Sequence, residues 1–399
     1  MPKTSHAAAS SNSGVPPVTA SANECMSEYR SRRCGHLYSA TAIAMLDFVI
    51  EQGVTSKISN RTVAVVGAYG HTGRFVIAEL RKRGLIPMLS GRDANKLHAI
   101  GTTNPGLDLR PASLDDPASL DRALAGAAAV INCAGPFAET SAPVLDAALR
   151  ARIPYLDITA VAEVVADTFA QYTARARDAG IVVVPAMAFY GGLGDLLATV
   201  AMDDWTEADW ISIAYALSSW RPTLGTRATS QVSTKRREGR RILFTNHRME
   251  FRTGEAPVTE WTFPAPTGTQ EVVAEFTTAD SVTIPSHLKT REIRTYMSVA
   301  ALNDLRSPDL SLPVAVDERG RSAQSFLVEV VACSAGSKRR AVARGQDIYA
   351  ITAPLVVEAT HRVLSAQGGP AGVVAAGELF DARDFLSSLS PEHLTFETR

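Results

Sequence analysis

The fold of this chain is decided by one stretch, Val63-Ala64-Val65-Val66-Gly67-Ala68-Tyr69-Gly70-His71-Thr72-Gly73-Arg74. A valine-rich strand runs into a turn with glycines in the order G-x-x-G-x-x-G, and an apolar helical pattern follows at once. Glycines between a buried strand and a helix are typical of a dinucleotide site. They permit a sharp turn, close approach of backbone to a pyrophosphate, and tight helix packing, while the helix N-terminus offers N–H groups to the phosphates. The predicted cofactor contacts here are Gly67, Tyr69, Gly70, His71, Thr72 and Gly73.

The composition is that of an ordinary globular protein of 399 residues with a formal net charge of -1. That charge gives no support for nucleic acid or an anionic membrane as the main partner. The four cysteines form no C-x-x-C pair, so the sequence predicts neither a disulfide framework nor a metal site. No apolar run reaches the ~20 residues of a membrane helix, and the first residues lack the apolar core of a secretory signal. We therefore expect a cytoplasmic protein.

A second parallel strand is predicted to end at Ser90, about 20 residues beyond the first glycine, where NAD sites carry an acidic residue for the ribose hydroxyls. Here the hydroxyl of Ser90 and the guanidinium of Arg92 suit a 2′-phosphate, because guanidinium groups pair with phosphate through charge-assisted hydrogen bonds. We therefore predict NADP(H). If the Asp93 side chain faced the ribose, the preference would change to NAD(H). If the Arg92 side chain lay in solvent, it would favour neither cofactor.

Further strands are predicted over residues 107–110, 128–132, 154–159 and 181–185, alternating with helices in the manner of a doubly wound parallel sheet. Ligands bind at the carboxyl ends of such strands, so the chain leaving the strand at 128–132 should pass the nicotinamide ribose. The predicted cofactor contacts at that exit are Asn132, Ala134, Gly135 and Pro136.

Changes of composition and periodicity predict an α/β fold with a Rossmann-type doubly wound parallel sheet and a second α+β, mainly antiparallel-sheet domain. An exposed face or edge of the second sheet predicts a homodimer. The predicted segments are a disordered tail (1–24), a helical N-terminal extension (25–60), the NADP-binding domain (61–198), a substrate and dimerisation domain (199–345), and a C-terminal segment that packs back on the Rossmann domain (346–399).

Two basic runs fall in the second domain, one at Lys235-Arg236-Arg237 with Arg240-Arg241 and one at Lys338-Arg339-Arg340. One interpretation makes them solvated turns between strands. The other makes them a site for an anionic substrate or a carrier protein.

These features together resemble the saccharopine dehydrogenase-like NADP-binding family, which includes trans-acting enoyl reductases. The resemblance covers roughly residues 61 to 390 and is strongest up to Asp195. The matching segments are residues 67–74, Ser90-Gly91-Arg92 with Lys96-Leu97, residues 130–137, residues 155–159 and the late Gly345-Gln346-Asp347-Ile348-Tyr349.

The resemblance implies hydride transfer between NADPH and a carbon electrophile, either an imine or an activated alkene. Tyr190 is the leading candidate for a proton donor or orienting hydroxyl, with an aromatic wall residue as the alternative. Cys133 is either a reactive thiol or a small packing residue, and Asp157 either orients a cationic substrate or caps the next helix. His71 either contacts phosphate or faces solvent, and His287 is a candidate from the second domain.

Three hypotheses follow. The first is an NADPH-dependent reductase of a small-molecule substrate, the second a non-catalytic NADP(H)-binding sensor or assembly partner, and the third a reductase of a carrier-bound substrate. A short-chain dehydrogenase is excluded, since its catalytic Tyr is followed four residues later by Lys, and none of the nine tyrosines here has a lysine at that offset.

Overall fold

The computed structural model describes residues 60–366 and 369–398. Within them the valine-rich stretch forms β1, an inner strand between β4 and β2 of a seven-stranded parallel sheet with the order β15-β6-β5-β4-β1-β2-β3. The predicted tail and N-terminal helix lie outside the described residues, apart from Asn60. The strands are β1 (Thr62–Val66), β2 (Ile86–Gly91), β3 (Leu109–Pro111), β4 (Ala129–Asn132), β5 (Tyr155–Asp157), β6 (Val182–Val184) and β15 (Gly372–Val373).

Helices cover both faces of this sheet, which is why β1 and β4 are apolar without alternation. The order 3-2-1-4-5-6 is that of a dinucleotide-binding fold, so the predicted fold class is confirmed. The third strand begins two residues later than predicted and ends one residue later. The helices that follow the strands are α1 (His71–Lys82), α2 (Ala94–Thr103), α3 (Pro117–Leu124), α4 (Phe137–Ala151), α5 (Ala162–Ala179) and, after a π-helical turn at Phe189–Leu193, α6 (Gly194–Met202).

The second sheet has nine strands and the order β10-β11-β12-β7-β13-β14-β16, with β8 pairing to β12 and β9. It is antiparallel except for β12 beside β7. Its strands are β7 (Trp210–Leu217), β8 (Arg241–Thr245), β9 (Arg248–Arg252), β10 (Val258–Phe263), β11 (Gly268–Ala274), β12 (Ile293–Ser298), β13 (Ser325–Ser334), β14 (Ser337–Gln346) and β16 (Leu394–Thr398).

The β10–β11 hairpin folds back over one face of this sheet. Trp261 on β10 donates from Nε1 to Glu329 on β13 at 2.8 Å, and Phe263 is buried against Ala214 and Leu327. Several strands separate these residues in the sheet order, so the sheet curls on itself. The hairpin therefore covers part of the face on which the predicted dimer interface rests.

Helices interrupt the strands of the second domain. They are α7 (Leu224–Arg236), α8 (Asp280–Thr283), a 3₁₀ turn at Ile284–Ser286, and α9 (Val299–Arg306). The prediction missed α7 because that helix is polar and buries only Ser233 among its residues, so it has no apolar period.

The interpretation of the first basic run as a turn between strands is only partly right. Arg237 and Arg240 lie in the turn before β8, but Lys235 and Arg236 form the last turn of α7. Cations are favoured there by the helix dipole. Arg236 also pairs with Asp167, and Arg237 with Glu163.

The C-terminal segment contributes one strand to each of the two sheets. Strand β15 extends the parallel sheet beside β6, whereas β16 pairs with β14 of the second sheet. Before β15 in the chain, α10 packs on α1. The helices of this segment are α10 (Thr352–Ser365), α11 (Ala376–Leu379) and α12 (Ala382–Leu389).

A chain of charges joins α1 to α10. Arg83 bonds Glu79 at 2.7 Å and contacts Glu358, which Arg362 also bonds at 2.6 Å. The side chains of Glu79 and Glu358 are only 9% and 8% exposed, so their charges depend on these partners.

We expect Arg83→Met to lower the free energy of unfolding by about 3 kcal/mol, because it leaves two buried carboxylates short of a cation. Chemical denaturation measures the loss. Arg150→Met is the matched control, since Arg150 pairs with Asp121 where both side chains are about half exposed, and it should cost less than about 1 kcal/mol. Equal losses in the two variants would show that the buried carboxylates do not depend on Arg83.

Candidate active site

The turn after β1 requires glycine at two positions. Gly67 has a φ of 84°, and a Cβ there would lie 2.7 Å from the backbone nitrogen of Ala134, which follows β4. A Cβ on Gly73 would lie 2.4 Å from the carbonyl oxygen of Gly67. The turn is therefore pressed against the β4 exit on one side and its own helix on the other, as the sequence predicted for these glycines.

Helix α1 begins at His71 directly after this turn. Gly70 is its N-cap residue and supplies no side chain to cap the first N–H groups. Open N–H groups and the positive end of the helix dipole suit an anion. The glycine cradle and the uncapped helix together fit the pyrophosphate of a dinucleotide.

Ser90 at the end of β2 does not lie where the sequence placed it. Its side chain is fully buried, and its hydroxyl has no hydrogen-bond partner among the described residues. Its carbonyl oxygen instead accepts from the N–H groups of Gly67 and Ala68 at 2.9 and 3.1 Å. Ser90 thus holds the phosphate-binding turn, and its expected contact with a 2′-phosphate is corrected, since a side chain with no exposed surface cannot meet the phosphate.

Arg92 and Asp93 have different environments, as an NADP site requires. Arg92 is exposed and makes no hydrogen bond or ion pair to the residues that the structure describes. Asp93 caps α2 by accepting from the N–H groups of Asn95 and Lys96, both at 3.0 Å. The N–H of Lys96 is the main reason that the pKa of Asp93 is below its usual value. Because the carboxylate is engaged, Arg92 is the side chain left to meet a ribose substituent.

Tyr69 braces the same end of β2. Its hydroxyl accepts from the N–H of Asp93 at 3.2 Å, and its ring covers Gly91, where a Cβ would lie 2.5 Å from the ring. Tyr69 therefore positions the segment that carries Arg92.

The β4 exit is shaped by Asn132, which is fully buried. Its Oδ1 accepts from the N–H of Ala134 at 3.0 Å, and its Nδ2 donates to the hydroxyl of Tyr155 at 3.3 Å. Gly135 beyond it is exposed, precedes a cis peptide bond to Pro136, and faces Thr229 of α7. Asn132 is therefore a positioning residue, while 134–136 offer backbone to a ligand under α7.

Asp157 is buried and fully engaged. Its carboxylate accepts from the Tyr155 hydroxyl at 2.9 Å and from the N–H groups of Thr159 and Ala186 at 3.0 and 2.8 Å. Burial raises its pKa to about 6 despite these hydrogen bonds. The carboxylate ties the β5 exit to the β6 exit, a role that neither sequence interpretation anticipated.

Cys133 behaves as a packing residue. Burial, together with the nearby charge of Asp157, raises the pKa of its thiol well above its usual value. A thiol held protonated is a poor nucleophile. The structure therefore favours the packing interpretation over a reactive thiol.

Tyr190 differs from these engaged groups. It lies in the turn after β6, is buried, and its hydroxyl has no partner among the described residues. The rings of Phe189 and Tyr215 lie 4.8 and 4.9 Å away, and that of Trp220 5.8 Å away. Burial raises the pKa of the phenol, so it stays protonated at neutral pH. Both sequence interpretations thus meet in one residue, an aromatic wall with a free hydroxyl.

Sequence reasoning missed a buried acid beside Tyr190. Asp280 on α8 accepts from the hydroxyls of Tyr215 at 2.9 Å and Thr278 at 2.6 Å and from the N–H of Gly191 at 3.3 Å. Burial raises its pKa to about 6. No motif marked it, because two of its partners, Gly191 and Tyr215, come from distant parts of the chain.

His71 and Tyr349 meet at the phosphate-binding turn, with ring centroids 5.2 Å apart. Burial is the main cause of the lowered pKa of His71, and its Nε2 has no described partner. Tyr349 accepts from Trp220 Nε1 at 3.1 Å. The quoted segment 345–349 was the sequence signal for this residue. His287, in contrast, is bonded to Asp195 at 2.7 Å.

Known proteins are similar in sequence to the domain that forms this site. Residues 63–184 match the family model described as the saccharopine dehydrogenase NADP binding domain. A probable mitochondrial saccharopine dehydrogenase-like oxidoreductase of Arabidopsis thaliana is 30% identical over 142 residues, which cover 32% of this chain and 31% of that protein. A human saccharopine dehydrogenase-like oxidoreductase is 25% identical over 145 residues, covering 32% and 34%.

The nucleotide-binding domain is thus similar to the NADP-binding domain of the saccharopine dehydrogenase family. The predicted resemblance is confirmed, and the cofactor is NADP(H), as Arg92 and the capping role of Asp93 suggest. The chain spans about a third of the length of the curated relatives it matches.

The saccharopine dehydrogenase-like fold extends beyond that domain. Apo histidine-tagged saccharopine dehydrogenase (L-Glu forming) from Saccharomyces cerevisiae superimposes with a TM-score of 0.59 over 85% of this chain and 100% of that one, at 13% identity. The likeness concerns the fold, including the second sheet. Among the residues that the structure describes, no helix is long and apolar enough to cross a membrane, and no three acidic, His or Cys side chains are grouped to hold a metal.

We expect Asp157→Asn to gain stability relative to the wild type as the pH rises. The folded pKa of about 6 exceeds the ordinary 3.8, so the wild-type carboxyl favours folding most below about pH 4 and loses that contribution as pH rises through 6. Denaturation at about pH 4.5 and 7.5 should show the difference between variant and wild type moving by about 2 kcal/mol in favour of the variant. A difference independent of pH would contradict the burial of an ionising Asp157; NADPH binding by the variant checks that the turn is intact.

Proposed function

We propose that this chain is an NADPH-dependent reductase that transfers hydride to the carbon of an imine or of an activated C=C bond. The unpartnered hydroxyl of Tyr190 carries the proposal, because it is a free proton donor at the strand-exit edge of an NADP domain. Bound NADPH supplies the hydride that forms the new C–H bond. The electron pair of the double bond then moves to the nitrogen or the α-carbon, which needs a proton.

The residues of the chain supply the remaining requirements. Tyr190 donates a hydrogen bond or a proton to the atom that gains the electron pair, and its aromatic neighbours exclude water. Asn132 and Asp157 hold the two strand exits that flank the acceptor. Cys133 has no chemical role in this proposal.

Arg92 is proposed to select the 2′-phosphate. Arg92→Ala should weaken NADPH binding by about 1.5–3 kcal/mol, the size of a lost charged hydrogen bond, and leave NADH binding unchanged. Fluorescence titration of both cofactors measures this. Arg150→Ala, on the far side of α4, is the control and should bind both as the wild type does. Equal weakening of NADPH and NADH would exclude the assignment.

Tyr190→Phe separates catalysis from packing. Removing an unpaired buried hydroxyl should leave stability unchanged or raise it, whereas loss of a proton donor should slow hydride transfer by about 10²–10⁴-fold. Single-turnover oxidation of bound NADPH, with an acceptor found by screening imines and enoyl compounds, gives the rate, and thermal denaturation gives the stability.

Tyr215→Phe is the matched control, because its hydroxyl is bonded to Asp280. It should lose stability and keep more of the turnover. Wild-type turnover in Tyr190→Phe would remove the tyrosine from the mechanism. Tight NADPH binding without hydride transfer to any acceptor would favour the alternative, a non-catalytic NADP(H) sensor or assembly partner.

A carrier-bound substrate draws less support from the basic runs. In the second run, Arg339 pairs with Asp204 and lies over Trp205, and Arg340 pairs with Glu329. These charges are largely used within the chain. A carrier, the homodimer and the cytoplasmic location all stay predictions.

A further inference from the structure

We infer that a cavity beside Tyr349 binds the acidic head group of an amphipathic substrate, a carboxylate or phosphate attached to an acyl chain. The inference rests on the proposed function in calling this molecule the substrate. The cavity has a volume of about 230 Å³ and lies between the chain after β7 and the segment before β13. Neither the glycine turn nor the Tyr190 cluster forms it.

One wall of the cavity is polar. Arg221 is exposed and makes no hydrogen bond or ion pair to the described residues, and the hydroxyls of Ser219 and Ser322 also have no described partner. The side-chain amide of Gln324 is engaged, because it donates to the Ser219 carbonyl and accepts from the N–H of Ile348. A guanidinium and two hydroxyls without partners, next to a Gln324 side chain held in place by hydrogen bonds, suit an anionic oxygen group.

The acid whose charge interacts with Arg221 has partners of its own. The carboxylate of Asp309 accepts from the N–H and the hydroxyl of Ser311 at 2.8 and 2.7 Å. The Ser311 hydroxyl is the main reason for the lowered pKa of Asp309, and the charge of Arg221 adds to it. Arg221 thus lies near an acid that already has its own partners.

The opposite wall is apolar and exposed. Pro313, Val314 and Val316 line it, and the two valines are 62% and 58% exposed. Leu310 and Leu312 continue the same stretch, so four of the eight large apolar side chains that are exposed in the described residues lie within 310–316. Such concentration marks a contact surface for apolar groups. The combination with Arg221 specifies a molecule that is charged at one end and apolar along its length.

The cavity borders the cofactor site. Tyr349 lines it and lies 5.2 Å from the ring of His71 at the start of α1. Gly320, in the same segment as the valines, approaches the ring of Phe75. Ligand sites are commonly ~300–1,000 Å³, so this smaller cavity holds the head group and leaves the chain to run along 310–316.

Calorimetric titration of the full chain loaded with NADP⁺ tests the inference without turnover. The probes are octanoate, octyl phosphate and the neutral octanamide. We expect at least one anion to bind about tenfold or more tightly than the amide, and Arg221→Gln to abolish that difference. Arg248→Gln, an exposed arginine on β9, is the matched control and should keep it. The stronger of the two anions identifies the head group.

A second variant tests the apolar wall. Leu310→Ser should weaken octanoate and leave acetate unchanged, because Leu310 does not line the cavity and only the longer molecule reaches it. Octanamide binding as tightly as both anions, or unchanged anion binding by Arg221→Gln, would overturn the inference. NADPH binding by each variant shows that it is folded. Arg221-dependent anion binding in a protein that oxidises no NADPH would contradict the proposed reaction and leave the cavity assignment standing.

Discussion

The close approach of the β1 turn to its neighbours is the constraint on which the site depends. Gly67 touches the backbone of Ala134 after β4 and donates to the carbonyl of Ser90 on β2. Three strand ends are thereby fixed against one another at the centre of the sheet. Any side chain at position 67 would separate β1 from β4, and the uncapped end of α1 would no longer face the groove between them. The position of the phosphate-binding turn and the path of the chain after β4 towards the nicotinamide both depend on this one steric contact.

The first domain could be predicted because its signals are local. A buried strand, spaced glycines and a helical period lie within one short stretch, and β2 and β4 repeat the pattern. The second domain could be predicted less completely. Its helix α7 has no apolar face, and the curl of the sheet arises from contacts between distant strands. Asp157 was identified as a site residue but not for its role, because its partner Ala186 lies 29 residues away. Side-chain engagement is a property of the assembled fold.

The two buried acids show how the fold is held around the site. Asp157 joins the exits of β5 and β6, and Asp280 joins the turn after β6 to the second domain through Tyr215. Each collects several donors, yet burial keeps each pKa at about 6. A charged form that is only partly compensated costs stability near neutral pH. This stability cost is consistent with a rigid carboxyl edge of the parallel sheet, in which a side chain from a neighbouring segment fixes the position of each strand exit.

The unpaired groups then indicate where a ligand is needed. His71 Nε2 and the hydroxyls of Ser90 and Tyr190 are buried without partners in the described residues, and each lies at the carboxyl edge of the parallel sheet. A buried polar group without a hydrogen bond costs about 1–3 kcal/mol, and proteins keep few of them. Ser90 is sealed beneath the turn and gains nothing from a ligand at the surface. His71 and Tyr190, in contrast, flank the turn and the β6 exit, so their unpaired atoms are the ones that a bound cofactor and acceptor would satisfy.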